Sequence, residues 1–397
     1  MTPLLGLVLI VVIAFIGSYF AVRLNISSVW LRAISFSGIF YILLGFVIGP
    51  SVLRVLSRVV VQNLNVLFSL VLGWVGFLIG IQVSIKGLRR FPRVYFFNSA
   101  IIYLFIFFSL SALVYYLCTF IPALKISWYE STLLSLAGAV TSPILIGVIV
   151  RDYHVKGKAA HWLQFNAAFD NLLGVITIGI LFLVSHVMHS FNNGQEEGAF
   201  LFFMPVAITL VSIFLYQFLY NELKGEQERF LLFIALLLMA IGSAYYFKQS
   251  ILFNSFLFGL GLANSKIDTR KLFQSIQFAE KPLYVILLVY AGLAIEVRNV
   301  VLALFVAAIF IGVRMFIKLL SGVYSLGGIR EDASLSRNYG LANLGMGGLS
   351  LAIILDYLTL NPAEVGRLFL IVVVVAILVN DLISLQYLQK YIAGPKR

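Results

Sequence analysis

Asp170 is an acidic residue near the middle of a long apolar run that extends from 162 to 184. A carboxylate at the centre of a bilayer costs about 2.5–3.5 kcal/mol on insertion scales, so such a residue usually has a function. On a helix Asn166, Asp170 and Thr177 lie near one face, with Asn171 about 100° around the axis. This polar stripe indicates a face that meets a cavity or another helix rather than lipid. The chemistry that it suggests is ion or proton binding.

The elements that must position these residues are membrane-spanning helices. Apolar residues make up 61% of the chain and charged residues only 11%, in apolar stretches of about 20 residues separated by short polar loops. The apolar runs are continuous, whereas strands of a membrane barrel alternate apolar and polar residues. The sequence therefore predicts an all-α polytopic membrane protein. We predict thirteen spans, at 4–22, 33–50, 64–85, 95–121, 131–150, 160–184, 200–220, 230–247, 250–265, 282–296, 299–326, 338–358 and 366–389.

The distribution of basic residues predicts the orientation of the chain in the membrane. The loops after odd-numbered spans, together with the C-terminus, contain 20 of the 28 Lys and Arg residues, and the other loops contain 6. By the positive-inside rule, we expect the N-terminus outside and the C-terminus in the cytoplasm. The net charge of +12 is then mostly topological. Nucleic-acid binding is disfavoured, because the basic residues are spread over many loops without a basic domain.

The two remaining cations, Arg314 and Lys318, lie four residues apart on one face of span 11. Two like charges in an apolar segment need acidic partners or water. Asp170 is about 15 Å from the cytoplasmic start of its helix, and Lys318 is about 12 Å from the cytoplasmic end of span 11. The two side chains can therefore meet. Lys318 either pairs with Asp170, which would position the helices, or neutralises the ends of interrupted helices.

Several other functions are disfavoured by the sequence. No Ser-His-Asp or His-Glu-x-x-His pattern is visible, and the four histidines lie at or near loop ends. We therefore expect that the protein is not an enzyme and that it has no cofactor. With no loop longer than about 15 residues, there is no room for a nucleotide-binding domain. Cys118 is the only cysteine and cannot form an intramolecular disulfide. The first span is expected to be a retained helix rather than a signal peptide.

The odd number of spans predicts two inverted repeats within a single transmembrane domain, 1–397. Repeat one would cover about 4–184, a linker helix about 200–220, and repeat two about 230–389, and the two repeats would have opposite topology. Helix-breaking residues occur at matching places in the two halves. They are Thr141, Ser142 and Pro143 in span 5, and Asn343, Gly345, Gly347 and Gly348 in span 12. We therefore expect a crossed pair of discontinuous helices that expose backbone carbonyls and helix ends to a cavity.

These features occur in an order that resembles the monovalent cation:proton antiporters, specifically the thirteen-helix sodium/proton exchanger type without a regulatory domain. The resemblance covers nearly the whole chain and includes the break at Thr141, Asp170 and the glycine-rich span 12. The other motifs are Gly45-Phe-Val-Ile-Gly49-Pro50-Ser51 in span 2, Gly76-Phe-Leu-Ile-Gly80 in span 3, Ala291-Gly292-Leu293 in span 10 and Lys318-Leu-Leu-Ser-Gly322 in span 11.

The resemblance implies a homodimer in a lipid membrane that exchanges Na⁺, with K⁺ as the other candidate, for H⁺. A moving core would contain spans 5, 6, 11, 12 and 13 and rock against a fixed scaffold. Asp170 matches the ion-binding aspartate, which would bind the transported metal ion, and Lys318 matches the basic residue that faces it. The compartment that the resemblance implies is the bacterial inner membrane.

Further oxygen ligands are expected from Thr141, Ser142, Asn166 and Asn171, with Arg314 and Lys318 compensating charge. Many relatives have Asp-Asp or Asn-Asp at this position, whereas this chain has Phe169-Asp170-Asn171. Asp170 can match either the first or the second member of that pair. If Asn171 replaces a titratable partner, fewer protons move in each cycle, which favours electroneutral, one-for-one exchange over electrogenic exchange.

Two other functions stay open from the sequence: a sodium-coupled symporter of organic solutes with similar broken helices, and an ion channel. The remaining acidic residues of the spans lie near span ends, where we expect solvation or basic neighbours to suffice. They are Glu280, Glu296, Asp356 and Asp381.

Overall fold

The computed structural model describes residues 3–23, 38–120, 126–152, 158–193, 198–223, 225–267, 270–296, 300–325 and 339–393. Within these ranges the regular structure is helical and no strand is present. The helices are α1 (Pro3–Arg23), α2 (Ile39–Ile48), α3 (Arg58–Asn63), α4 (Asn65–Ile81), α5 (Ile85–Leu88), α6 (Arg93–Thr119), α7 (Trp128–Ala139), α8 (Pro143–Asp152), α9 (Lys158–Asn193), α10 (Gly198–Leu219), α11 (Glu226–Tyr246), α12 (Ile251–Ala263), α13 (Arg270–Ala294), α14 (Val300–Ser325), α15 (Gly348–Leu360) and α16 (Glu364–Ala393).

The prediction of an all-helical membrane protein is confirmed. Six stretches of the described residues are long and apolar enough to cross a membrane, and six shorter apolar helices accompany them. The long ones are Arg93–Thr119, Trp128–Val148, Ala160–Met188, Glu226–Tyr246, Val300–Gly322 and Glu364–Leu388. The count of thirteen crossings stays a prediction.

One predicted boundary differs clearly from the structure. The sequence places the start of span 10 at 282, but α13 begins at Arg270 and continues through Pro282. The first three turns of α13 carry charged residues, so they lack the continuous apolar signal that defines the predicted span. Part of predicted span 2, residues 33–37, lies outside the described residues.

Two helices are interrupted near the centre of the fold. The segment 140–142 between α7 and α8 is not helical, and α8 begins with Pro143, a residue favoured in the first helical turn because it has no N–H to leave unpaired. Residues 339–342 are helical and the chain resumes helix only at α15. The two breaks meet, because the N–H of Ser142 donates to the carbonyl of Gly345 at 3.0 Å. The expected crossed pair of discontinuous helices is thus present.

Glycines bring two pairs of helices into backbone contact. A Cβ on Gly45 of α2 would overlap the carbonyl of Val289 in α13, and a Cβ on Gly292 would overlap the carbonyl of Ile42. In the same way α4 and α12 approach at Gly76, where a Cβ would overlap the carbonyl of Leu252. Small residues permit such close packing of membrane helices, where van der Waals contact rather than water expulsion drives association. These pairs form a closely packed support beside the interrupted helices.

A side chain at Gly76 should therefore destabilise the protein. We expect Gly76→Ala to lower the thermal unfolding midpoint in detergent by several degrees, because the contact is with backbone and neither helix can yield without losing packing. The matched control is Gly242→Ala in α11, where a Cβ would meet no atom within 4 Å. That change should leave the midpoint the same or raise it slightly, since alanine is the better helix former. Equal midpoints for the two variants would contradict the close approach.

Candidate functional site

Asp170 lies in α9 beside the break between α7 and α8, and its side chain is fully buried. Its Oδ2 accepts a hydrogen bond of 2.8 Å from the Thr141 hydroxyl. Lys318 Nζ of α14 donates to the same hydroxyl oxygen at 2.9 Å and lies 3.9 Å from Asp170 Oδ2. The threonine hydroxyl therefore stands between a buried carboxylate and a buried ammonium. This arrangement requires three separate elements of the fold to converge.

Arg314 lies one turn before Lys318 but has different partners. Its guanidinium donates from Nε to the carbonyl of Gly138 at 2.6 Å, from Nη2 to Val140 at 3.2 Å, and from Nη1 to Leu344. These carbonyls belong to the last turn of α7, to the residue that follows α7, and to the turn that directly follows the helical residues 339–342. A helix C-terminus leaves carbonyls unpaired and carries partial negative charge, so one cation satisfies both interrupted helices. Of the two roles open for the cations of span 11, Arg314 neutralises the helix ends and Lys318 faces Asp170.

Several polar atoms beside Asp170 have no hydrogen-bond partner among the described residues. They are Asp170 Oδ1, both amide atoms of the fully buried Asn166, and Asn171 Oδ1. Asn166 is one helical turn before Asp170, so the two side chains share a face. Buried polar groups nearly always find a partner, whether protein, water or an ion. The unpaired oxygens of Asp170 and Asn166 on this face are therefore available as ligands.

The other predicted residues fall into separate positions. Thr177 accepts a hydrogen bond of 3.1 Å from the Tyr103 hydroxyl and so joins α9 to α6, away from the ion pair. Ser142 is also buried, but it lines a small cavity with Gly347 and Gly348 rather than contacting Asp170. Gly345 supplies the carbonyl that accepts the Ser142 N–H. The residues at the breaks that were proposed from sequence thus divide into two groups. Thr141 contacts Asp170, whereas Ser142, Gly347 and Gly348 line the small cavity.

The expectation for acidic residues near span ends is wrong for two of the four. Asp356 is fully buried and accepts hydrogen bonds from the Ser250 hydroxyl at 2.6 Å and the Ile251 N–H at 3.0 Å, which caps the start of α12. Asp381 is also buried, and its Oδ1 accepts a 2.8 Å bond from the N–H of Met346 in the second break. Both carboxylates lie near a span end in sequence but are covered by other helices. Their hydrogen-bond donors lie far away in the chain, so the local sequence gave no sign of either contact.

Glu296 behaves as expected of an acid with basic neighbours. It forms ion pairs with Arg367 and, at 3.3 Å, with Arg58. Glu280 is half-buried.

Among the described residues, no group of three or more His, Cys, Asp or Glu side chains is placed to bind a metal ion. The oxygen-rich site at Asp170 instead suits a single cation with a mixed set of ligands. Carboxylate, hydroxyl and amide oxygens are hard donors, which prefer hard cations.

Comparison with known proteins identifies the class to which this site belongs. The profile of the family described as "Sodium/hydrogen exchanger, transmembrane" matches residues 11–386. The chain belongs to this family and is an integral membrane transporter rather than an enzyme. The resemblance inferred from the sequence motifs is confirmed. No curated protein sequence matches the chain.

Two solved structures show the same fold. The sodium proton antiporter MjNhaP1 from Methanocaldococcus jannaschii at pH 8 aligns with a TM-score of 0.68 and 15% sequence identity, over 99% of each chain. A structure of the same antiporter from an electron-microscopy map aligns with a TM-score of 0.63 and 16% identity, over 100% of each chain. At this identity the likeness concerns the fold, and it extends from end to end of both proteins.

Replacing Arg314, whose guanidinium bonds to both interrupted helices, should destabilise the fold. We expect Arg314→Leu to cost about 3–5 kcal/mol, because three buried carbonyls lose a charged donor. Arg314→Lys should recover only part of the loss, since an ammonium lacks the planar fork of donors. Thermal unfolding in detergent would measure both variants against Arg89→Leu, which alters an exposed arginine. A midpoint for Arg314→Leu equal to that of the surface control would contradict this role.

Proposed function

We propose that this protein exchanges Na⁺ for H⁺ by competition at Asp170, with K⁺ as the second candidate cation. The observation that carries the proposal is the fully buried Asp170 carboxylate, which contacts Thr141 and faces Lys318 at the crossing of two interrupted helices. Membership of the sodium/hydrogen exchanger family supports the same pair of substrates. The likeness in fold to a sodium proton antiporter supports it further.

Competition at one carboxylate explains why the two ions would move in opposite directions. A carboxyl group can be protonated or can coordinate a cation through its charged oxygens, and each state excludes the other. Burial favours the neutral form of such a group, whereas a nearby cation favours the charged form. Asp170 experiences both influences, because it is fully buried and lies 3.9 Å from Lys318. With neither ion bound, the Lys318 ammonium is the cation that balances a charged Asp170.

Lys318 strengthens the exclusion. With its ammonium charged, the pair with Asp170 is neutral overall, and an arriving cation would add a positive charge beside it. Two unit charges about 4 Å apart interact by about 4 kcal/mol at an effective dielectric constant near 20. Cation binding therefore favours displacement of the Lys318 ammonium away from Asp170. Thr141, which bonds to both side chains, would remain as a neutral ligand.

The unpaired oxygens define the ligands that we propose for the cation. Asp170 Oδ1, Asn166 Oδ1 and Asn171 Oδ1 make no hydrogen bond to described residues, and Thr141 supplies a hydroxyl oxygen. A hard monovalent ion such as Na⁺ accepts this mixed set of oxygens. The Ser142 hydroxyl lies on the other side of the break and would join only through a second position of the ion.

The arrangement of the chain supports alternating access by two inverted repeats, 4–184 and 230–389, with 200–220 as linker. If the repeats correspond span by span, spans 2 and 3 match spans 9 and 10. The contact of α2 with α13 then corresponds to that of α12 with α4, and both depend on glycines. The two breaks also correspond and bond to each other. We propose that the interrupted helices move as a core against the glycine-packed support.

The charge distribution of the chain and its resemblance to the antiporter family suggest its membrane, its orientation and its oligomeric state. We propose a bacterial inner membrane, with the N-terminus outside and the C-terminus in the cytoplasm, because the basic residues concentrate in alternate loops. A homodimer embedded in lipid is proposed on the resemblance to the antiporter family.

The proposed exchange predicts that Asp170→Asn abolishes transport without unfolding the protein, since the amide is similar in size but can neither ionise nor bind a cation strongly. Purified wild-type and variant protein would be reconstituted in liposomes containing a pH-sensitive dye, and Na⁺, K⁺ or Li⁺ added outside. We expect cation-dependent alkalinisation of the interior with the wild type and only the background of protein-free liposomes with the variant. Normal flux in the variant would remove Asp170 from the mechanism. Proton flow in the same direction as Na⁺ would favour symport.

The neighbour of Asp170 predicts the stoichiometry. Because Asn171 is not titratable, we propose that one cation exchanges for one proton and that no net charge crosses the membrane. An electrogenic cycle moving one charge would gain or lose about 2.3 kcal/mol at 100 mV. We therefore expect the exchange rate to be unchanged when such a potential is imposed with K⁺ and valinomycin in Na⁺-driven assays. A clear acceleration at one polarity would contradict electroneutral exchange.

A further inference from the structure

A small cavity with both polar and apolar residues in its lining lies at the helix crossing, and Asp170 is not among the residues that line it. Its volume is about 20 Å³, measured as the space that the centre of a water molecule can occupy. This is enough for roughly one water molecule or a small ion. Its polar lining comes from Ser142, Tyr284 and Asp381, together with the backbone around Gly347 and Gly348. The residues belong to five elements: the two breaks, α13, α15 and α16. Nothing in the exchange at Asp170 uses this cavity.

Asp381 is the charged group of the cavity, and it forms no ion pair within the described part of the chain. Its Oδ1 accepts the Met346 N–H at 2.8 Å. Asp170, by comparison, has Lys318 at 3.9 Å, and Arg314 of the crossing donates to three carbonyls rather than to Asp381. A carboxylate can accept about four hydrogen bonds or ligand contacts, so one backbone donor leaves most of its capacity unused. A buried carboxylate of this kind either takes up a proton or gains a cation, and Arg314 is the nearby positive charge that acts on it without bonding to it directly.

Glycines keep the cavity open. A Cβ on Gly347 would lie 3.1 Å from the Ser142 Oγ, and a Cβ on Gly348 would lie 2.7 Å from the Tyr284 hydroxyl oxygen. Any larger residue at either position would therefore fill the space or displace the two hydroxyl groups that line it. Two further cavities among the described residues have linings dominated by apolar side chains. The crossing thus combines open space with oxygen donors.

The backbone between α7 and α8 connects this cavity to the site at Asp170. Val140 has an extended conformation, and Thr141 and Ser142 continue the non-helical segment. Consecutive residues of an extended chain direct their side chains to opposite sides. Thr141 accordingly contacts Asp170, while Ser142 lines the cavity with Asp381. A hydroxyl and a carboxylate are thus available on each side of the same short segment.

We propose that this cavity is a second binding site for the transported monovalent cation, with Asp381 as its charged ligand and the Ser142 and Tyr284 hydroxyls as neutral ligands. The cation would pass between this site and Asp170 around the segment 140–142. This assignment rests on the proposed exchange of a monovalent cation for protons.

A purely structural role for Asp381 makes a different prediction. The helices α8 and α15 begin at this cavity, and helix N-termini carry partial positive charge that a carboxylate stabilises. If Asp381 only capped the Met346 N–H, its removal would lower stability without changing cation affinity. Asp356 provides the matched control, because it is a buried carboxylate that also accepts a backbone N–H at a helix start but lies outside the cavity.

The deciding experiment compares Asp381→Asn with Asp356→Asn in proteoliposomes, measuring the Na⁺ concentration at half-maximal exchange. We expect Asp381→Asn to raise this concentration about tenfold or more while exchange stays Na⁺-coupled, and Asp356→Asn to leave it unchanged. Thermal unfolding in detergent would show whether each variant is folded. An unchanged half-saturating concentration for folded Asp381→Asn would overturn the second site while leaving exchange at Asp170 intact.

A second pair of variants decides the question if Asp381→Asn does not fold. Gly348→Ala would place a methyl group in the cavity, whereas Gly147→Ala in α8 adds one where no atom lies within 4 Å. We expect weaker Na⁺ dependence only for Gly348→Ala, and equal values for both would overturn the site. Binding of radioactive Na⁺ to the detergent-solubilised protein separates the hypothesis of Na⁺/H⁺ exchange from the hypothesis of a second cation site. If the wild type binds Na⁺ but does not exchange it for protons, the proposed function fails and the cavity variants still test the site.

Discussion

Two helices of this apolar protein stop near its middle. Each interruption leaves backbone N–H and carbonyl groups without helical partners, and in a membrane no bulk water is present to bond to them. Crossing the two breaks satisfies part of this demand directly, through the bond from Ser142 N–H to the Gly345 carbonyl. Arg314 satisfies the carbonyl ends and Asp381 one of the N–H groups. Buried charges are therefore required by the backbone itself.

The function that we propose uses the charged side chains at the crossing that do not bond to the helix ends. Arg314 is occupied by three carbonyls, whereas Lys318 contacts Asp170 through the hydroxyl of Thr141 and has no backbone acceptor among the described residues. The pair of Lys318 and Asp170 can therefore change its charge state without releasing the helix ends. A cation that bonds to the backbone at both helix ends and a cation that faces the buried carboxylate are thus only one helical turn apart.

The glycine-packed helices supply a contrasting region. Where α2 meets α13 and α4 meets α12, backbones touch and side chains are absent, so the contacts are short-ranged and cannot adjust by changing rotamers. The crossing is surrounded by polar side chains and a small cavity. Alternating access requires one part of a transporter to stay fixed while another moves. The distribution of glycine contacts is consistent with α2, α4, α12 and α13 belonging to the fixed part.

Four features could be predicted from the residues alone: the membrane location, the helical class, the positions of both breaks and the isolation of Asp170 among apolar residues. Each of these is a local property, since apolar length, proline, clustered glycine and a charge among apolar residues are visible within one segment. The packing of the helices decided that Arg314 bonds to helix ends while Lys318 faces Asp170, which the sequence could not predict because the spacing of the two cations does not distinguish them. It also decided that Asp356 and Asp381 are buried, since their donors are more than thirty residues away in the chain. Burial and pairing across that distance depend on how helices pack, and no local pattern records it.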